Sequence, residues 1–270
     1  MFTDSHCHLT FPELQGQLPD VLAAMQAAQV TRALCIATTL EEFPHVLELA
    51  QQHVQLWASV GVHPENYGDG VGEPQVNDLV RLGACPRVLA VGETGLDYYR
   101  LEGRSVADME WQRERFRRHI RAARQLRKPL VIHTRSAAED TLAILREEGE
   151  DGSIGSAGGV FHCFTETQDV ARAALDMGFY ISFSGIVSFK NAVTIQDVAR
   201  WVPAERLLIE TDSPYLAPVP YRGKLNTPAL VPYVAQALSQ LRACRVEEIA
   251  HQTSANFDKL FFSEPLQGLG

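Results

Sequence analysis

The sequence predicts an α/β chain folded as a single (β/α)8 TIM barrel, and three observations carry that expectation. Eight short apolar runs rich in β-branched residues recur along the chain, and helix-length segments with apolar residues at three- and four-residue spacing separate them. Polar residues able to carry chemistry sit at the trailing ends of the runs, where the catalytic groups of such a barrel belong. The length of 270 residues suits one barrel of about 250 residues, so one hydrolase-type domain over 1–262 and a short tail over 263–270 are expected.

In order, the runs are Phe2 to His8, Arg32 to Thr38, Leu56 to His63, Val88 to Gly95, Pro129 to Arg135, Gly159 to Phe164, Tyr180 to Gly185 and Arg206 to Asp212. The first ends in His6-Cys7-His8, where the period-two spacing of a strand points both imidazoles to one face. A helical pattern follows in Val21, Leu22, Met25 and Ala28; others appear in Trp111, Phe116, Ile120 and Ala123 and in Val170, Ala174 and Met177. The third run ends at His63 before Pro64, the fourth carries Glu93, the fifth His133, the sixth His162 and the eighth Asp212. The segments from Glu65 to Pro74 and from Tyr99 to Val106 read as rim loops beside the site. The glycine-dense segment from Gly152 to Gly159 precedes a strand. A phosphate-cradling loop would follow one and open a helix, so a surface connection is expected. The tail from Ser263 to Gly270 has little to bury and is expected to fray.

Composition narrows the function classes. Hydrophobic residues make up 46% and charged residues 21%, an ordinary globular balance. A net charge of −9 argues against a broad basic track for a long nucleic acid but leaves room for local binding, since divalent ions would make a site electropositive on an acidic body. The five cysteines are odd in number and lack Cys-x-x-Cys spacing, which excludes a disulfide framework or structural zinc site and fits a reducing cytoplasm. No positively charged start with an apolar stretch precedes the first strand, and no run approaches the roughly 18 apolar residues of a membrane helix. A soluble protein with no membrane association and no obligate protein partner is the expectation.

His6, His8, Glu93, His133, His162 and Asp212 are too many ligands for one tetrahedral ion. Nitrogen and oxygen donors of this kind suit Zn, Mn, Co or Mg, and a carboxylate such as Glu93 can bridge two ions about 3.5 to 4 Å apart. Two divalent ions are therefore expected, against the alternative of hydrogen-bonded structural histidines. His63 lacks an obvious ligand partner and either contacts substrate or braces the loop starting at Pro64. His45, His53, His119 and His251 lie in helix-like segments among polar residues and are expected to face solvent. Cys7 and Cys163 should alternate to the outer face and pack as small hydrophobes. Arg135, Lys190, Arg222 and Lys224 follow strands five, seven and eight; they either hold phosphate oxygens at the barrel mouth or are solvated loop charges.

With these residues in view, the chain resembles the TatD family of metal-dependent deoxyribonucleases, a branch of the amidohydrolase-like barrels. The matching signatures are Asp4-Ser-His-Cys-His-Leu9, Gly61-Val-His-Pro64, Val91-Gly-Glu-Thr-Gly-Leu-Asp97, Lys128-Pro-Leu-Val-Ile-His-Thr-Arg135, Phe161-His-Cys-Phe164, Ser182-Phe-Ser-Gly-Ile-Val187 and Leu208-Ile-Glu-Thr-Asp-Ser-Pro-Tyr-Leu216. The resemblance runs from Thr3 to about Phe262. The resemblance implies metal ligands at the six positions named above and hydrolysis of DNA phosphodiesters, typically from a 3′ end. Thr10 stands where the family often has Asp, and Thr165-Glu166 where Ser-Gly is usual; Glu166 adds negative charge near the rim. Related barrels bridge their metals with a carboxylated Lys at the end of strand four, a position held here by Glu93. Glu93 and Asp212 are expected to be catalytic, and His63, Arg135, Lys190 and Arg222 to bind the nucleic acid. Two rival readings are an ester or amide hydrolase, such as an aminoacyl-tRNA deacylase, and a non-enzymatic metal-dependent binding protein.

Overall fold

Each apolar run becomes a strand in the computed structural model, which describes residues 1–262; the expectation for the tail at 263–270 lies outside them. β1 (Phe2–Cys7), β2 (Val30–Cys35), β3 (Leu56–Val60), β4 (Val88–Asp97), β5 (Leu130–Arg135), β6 (Gly159–Phe161), β7 (Tyr180–Phe183) and β8 (Leu207–Ile209) pair in parallel in chain order. The chain beyond β8 closes the ring on β1. The Asp212 N–H donates to the His6 carbonyl at 2.9 Å, and the His8 N–H donates to the Ser213 carbonyl at 2.8 Å. The result is a (β/α)8 barrel.

Between strands run α1 (Pro12–Gln15), α2 (Leu18–Ala27), α3 (Phe43–Gln52), α4 (Val76–Gly83), α5 (Glu110–Leu126), α6 (Ala138–Glu147), α7 (Gln168–Asp176) and α8 (Val193–Trp201). After β8 come α9 (Val231–Arg242) and α10 (Val246–Phe261). Strand alternation sorts the core into two layers. Ala33, Cys35 and Ala37 pack outward toward the helices, while Leu34 and Ile36 join Leu89, Val131, Val160 and Leu208 in the lumen. Phe257 and Phe261 of α10 complete the lumen cluster. Their helix is tied to strand beginnings: Asn256 Nδ2 donates to the carbonyls of Ala204 and Leu207 at 2.7 Å, and the hydroxyls of Ser254 and Thr3 lie 3.0 Å apart. α10 therefore covers the N-terminal end of the barrel, and the opposite end stays open for chemistry.

One expectation is corrected here. His119 does not face solvent; it is fully buried on α5. Its sequence neighbours Arg117 and Arg118 suggest a wet face, but three- and four-residue spacing sets it beside Phe116, Ile120 and Ala123 on the apolar one. The Val62 N–H donates to Nε2 at 3.0 Å, and Nδ1 donates to the Arg115 carbonyl at 2.8 Å. Burial pushes its pKa down to about 4, so the ring is neutral and ties α5 to the residue before His63. His45 and His251 are exposed and His53 is half-buried.

Candidate metal centre

Most strands stop short of the sequence runs because the backbone leaves the extended region to aim side chains inward. Ser136, Cys163 and Asp212, each just beyond a strand, have φ of 55°, 40° and 54°. Gly95 is required for a related reason: at φ +131°, a Cβ there would sit 1.9 Å from the His133 carbonyl oxygen. β4 thus approaches β5 closely enough to bring Glu93 among the histidines.

Glu93 is 2% exposed and divides its two oxygens between two groups of imidazoles. Oε2 faces Nε2 of His6 at 3.3 Å and of His8 at 3.8 Å. Oε1 faces His63 Nε2 at 3.3 Å, His133 Nδ1 at 3.2 Å and His162 Nε2 at 2.8 Å. Asp212 Oδ1 lies 3.5 Å from His6 Nε2 and 3.4 Å from His8 Nε2, which are themselves 3.1 Å apart. Three sets of donors converge closely enough to hold an ion: His6, His8 and Glu93; His6, His162 and Asp212; and His63, Glu93 and His133. His63, expected to lack ligand partners, lies inside the cluster.

The donor chemistry fits a cation. His162 Nδ1 donates to Glu210 Oε1 at 3.3 Å, so its Nε2 lone pair faces the Glu93 carboxylate without a hydrogen-bond partner among the described residues. His133 Nε2 donates to Asp97 Oδ2 at 2.9 Å, which likewise turns the Nδ1 lone pair on Glu93. Acceptor against acceptor in a buried site is stable only with positive charge between them. The titration directions express the same demand. Burial opposes charging His162, but Glu93 and Glu210 raise its pKa well above the usual value; His133 is raised in the same way by Asp97 and Glu93. Burial would raise Glu93, yet His162, His63 and His6 hold it well below the carboxylate range. Asp212 is also lowered against its burial, chiefly by His8 and His6. A metal cation held among these groups would satisfy this demand.

Sequence reasoning missed the carboxylates that orient these rings. Asp97 fixes His133; Glu210 fixes His162 and accepts the Cys163 N–H at 2.7 Å. Asp4 is fully buried, accepts the Thr211 N–H at 2.9 Å and the His6 N–H at 3.2 Å, and so joins the two ligand-bearing ends of the closed ring. Burial pushes its pKa up to about 8. The available signal was period two: Asp4 precedes His6 and His8, and Asp97 follows Glu93, at even spacing along one strand face.

A cavity of about 640 Å³ opens over the cluster. His63 and Arg135 line it, and the Arg135 guanidinium lies 3.7 Å from the Tyr99 ring centroid. The loop after β3 contributes Glu65 and Asn66, as expected of a rim loop. Lys190 and Arg222 are not brought to the cavity: both are exposed on the rim after β7 and β8, with Arg222 over the Phe189 ring at 4.4 Å. Cys7 packs outward as expected, but Cys163 lines the cavity, 3.2 Å from the Ser184 hydroxyl. β6 ends at Phe161, and the left-handed turn at Cys163 breaks the alternation that would have sent the thiol outward. Glu166 is half-buried near Ser136 and His133, its pKa raised by burial.

Comparison with known proteins agrees with this geometry. The "TatD related DNase" family profile matches residues 3–262. An Escherichia coli K12 protein named "Uncharacterized metal-dependent hydrolase YcfH" is 49% identical over 261 residues, covering 96% of this chain and 94% of that one. The "3'-5' ssDNA/RNA exonuclease TatD" of Citrobacter rodentium is 32% identical, covering 96% and 97%. The crystal structure of YJJV, a TatD homologue from Escherichia coli K12, superimposes with a TM-score of 0.85 at 27% identity over 97% of this chain and 98% of that one. A family match across all eight strands, on a barrel whose open end gathers imidazoles around one carboxylate, establishes that this chain belongs to the TatD-related DNase family of metal-dependent hydrolases.

Proposed function

We propose that this hydrolase removes nucleotides from the 3′ end of single-stranded DNA, using water and two divalent ions drawn from Mg, Mn, Zn or Co. The observation that carries the reading is the division of Glu93, one oxygen toward His6 and His8 and the other toward His63, His133 and His162. Ions held by those groups together with Asp212 would lower the pKa of water from about 15.7 toward 7 and draw charge from a phosphoryl oxygen. Asp212, ionised at neutral pH, orients the attacking water and accepts its proton. As the new P–O bond forms, the bond to the 3′ oxygen of the preceding nucleotide breaks, releasing a nucleoside 5′-monophosphate, and the freed 3′ oxygen takes up a proton from water to become a hydroxyl. Arg135 in the cavity grips a phosphate oxygen, and His63 stands beside it. Lys190 and Arg222 on the outer rim would meet phosphates further along the strand.

The exonuclease name of the Citrobacter rodentium relative supports a nucleic-acid substrate. Unpaired cysteines at all five positions support a cytoplasmic setting, and among the described residues no helix is long and apolar enough to cross a membrane. The test is a screen of the metal-loaded protein on single-stranded DNA, duplex DNA, RNA and aminoacyl-tRNA, with each of the four metals. Progressive trimming of single-stranded DNA is expected. Cleavage of aminoacyl esters with no phosphodiester cleavage under any metal would replace this reading with the deacylase one.

A further inference from the structure

The cavity over the metal centre has two unlike walls. Asn66 and Arg135, from the β3 and β5 side, give it a polar wall; Phe11, Ile186, Tyr215 and Leu216, from the adjoining ends of β1, β7 and β8, give it an apolar one. Phe11 lies against His8 with ring centroids 4.5 Å apart and planes 20° apart, so the apolar wall begins at a candidate metal ligand. Tyr215 meets Phe11 edge-on at 6.3 Å and is 52% exposed. Its backbone N–H donates to the Asp212 carbonyl at 3.1 Å, which fixes it one turn from the candidate base.

The Tyr215 wall is braced in advance. The hydroxyl donates to Glu13 Oε1 at 3.3 Å, and the buried Asn226 amide donates to the Tyr215 carbonyl at 2.6 Å. At Gly185 the end of β7 packs so closely on the same loop that a Cβ would sit 1.9 Å from the Leu216 carbonyl oxygen. A large aromatic held this firmly while half exposed, at the edge of a cavity whose far wall carries a guanidinium, matches a ligand with a flat apolar face and an anionic group.

We propose that Tyr215, with Phe11 behind it, is the platform on which the 3′-terminal nucleobase stacks while its phosphate lies between the metal centre and Arg135. This rests on the nuclease reading above and adds what that reading lacks, a reason for preferring single strands. A base lying on Tyr215 cannot be paired in a duplex, and stacking accepts any base because each has a π-face.

Two readouts test it. With metal-loaded Asp212→Asn protein, an oligonucleotide carrying 2-aminopurine at its 3′ terminus should lose fluorescence on binding, whereas the same probe placed well inside the strand should not. Adding Tyr215→Ala should abolish the quench, and Tyr215→Trp should restore it. In otherwise wild-type protein, Tyr215→Ala should lower kcat/KM for a base-bearing terminus by roughly 5- to 150-fold while leaving a terminal abasic nucleotide nearly unaffected. DNA that binds without terminal quenching, or a Tyr215→Ala loss equal on both substrates, overturns the platform and leaves the nuclease reading standing. Failure to bind or cleave DNA under any of the four metals overturns both.

Discussion

Glu93 meets five imidazoles, and its replacement shows how the charge at the cavity floor is balanced. Glu93→Gln keeps the shape but removes the anion, so elemental analysis should find the bound metal reduced from two ions to one or none. His162→Ala should remove one ion preferentially, because His6 and His8 still anchor the other. One ion in the wild type at saturating metal would refute the two-ion site. Asp212→Asn should retain the fold by circular dichroism and lose at least about 100-fold in kcat, within the usual range for a lost acid-base group; near-full activity would remove Asp212 from the mechanism. His119 makes a separate prediction about stability. Its folded pKa of about 4 lies below the value near 6.5 of an unfolded chain, so unfolding takes up a proton in acid. Its stabilisation is complete above pH 6.5 and is lost as pH falls from 6.5 to 4, by on the order of 3 kcal/mol. Urea midpoints across that window should fall less steeply in His119→Gln than in the wild type; parallel curves would count against the assignment.

Strands and helices explain why the fold was legible and the site only partly so. Period-two and period-3.6 hydrophobicity survives in the sequence wherever an element buries one face, and so all eight runs became strands. His119 was misread because its charged neighbours in sequence are not its neighbours on the helix. Cys163 was misread because left-handed backbone beyond β6 is invisible to an alternation argument. His6 and His8 were recognisable at the end of the first apolar run, and Glu93 and His133 late in theirs, although β4 continues to Asp97 and β5 to Arg135; the hydrogen bonds of Asp97 and Glu210 to imidazoles depend on strand neighbours that no single segment encodes. Deleting residues 1–5 removes most of β1 and most of its pairing with β2, so the remainder should not give a cooperative melt. Phe257→Ala in α10 should cost about 3 to 5 kcal/mol, the range for a buried Phe, read as a lower urea midpoint at unchanged slope. A loss below 1 kcal/mol would mean that α10 is not needed to fill the lumen.

For the whole molecule, a net charge of −9, with Arg135 in the cavity and Lys190 and Arg222 exposed on the rim beside it, implies few phosphate contacts. Apparent DNA affinity measured between 50 and 200 mM salt should therefore fall far less than the roughly 10³- to 10⁵-fold expected for six to ten contacts. A steep slope would reveal a longer track than the cavity and its rim. The ring closure between β1 and the chain beyond β8 also carries a consequence for biosynthesis. The His6 carbonyl is held by the Asp212 N–H, and Thr3 touches Ser254, so the first strand waits on a nascent ribosome-bound chain with one edge unpaired until nearly the whole polypeptide has emerged. The two ends of the ring bring His6 and His8 to Asp212 only at that last closure. The set of His6, His162 and Asp212 is therefore completed only late in the birth of the protein, whereas His63, Glu93 and His133 lie in segments already made, and a stalled chain ending after β7 should lack the Asp212-containing set alone.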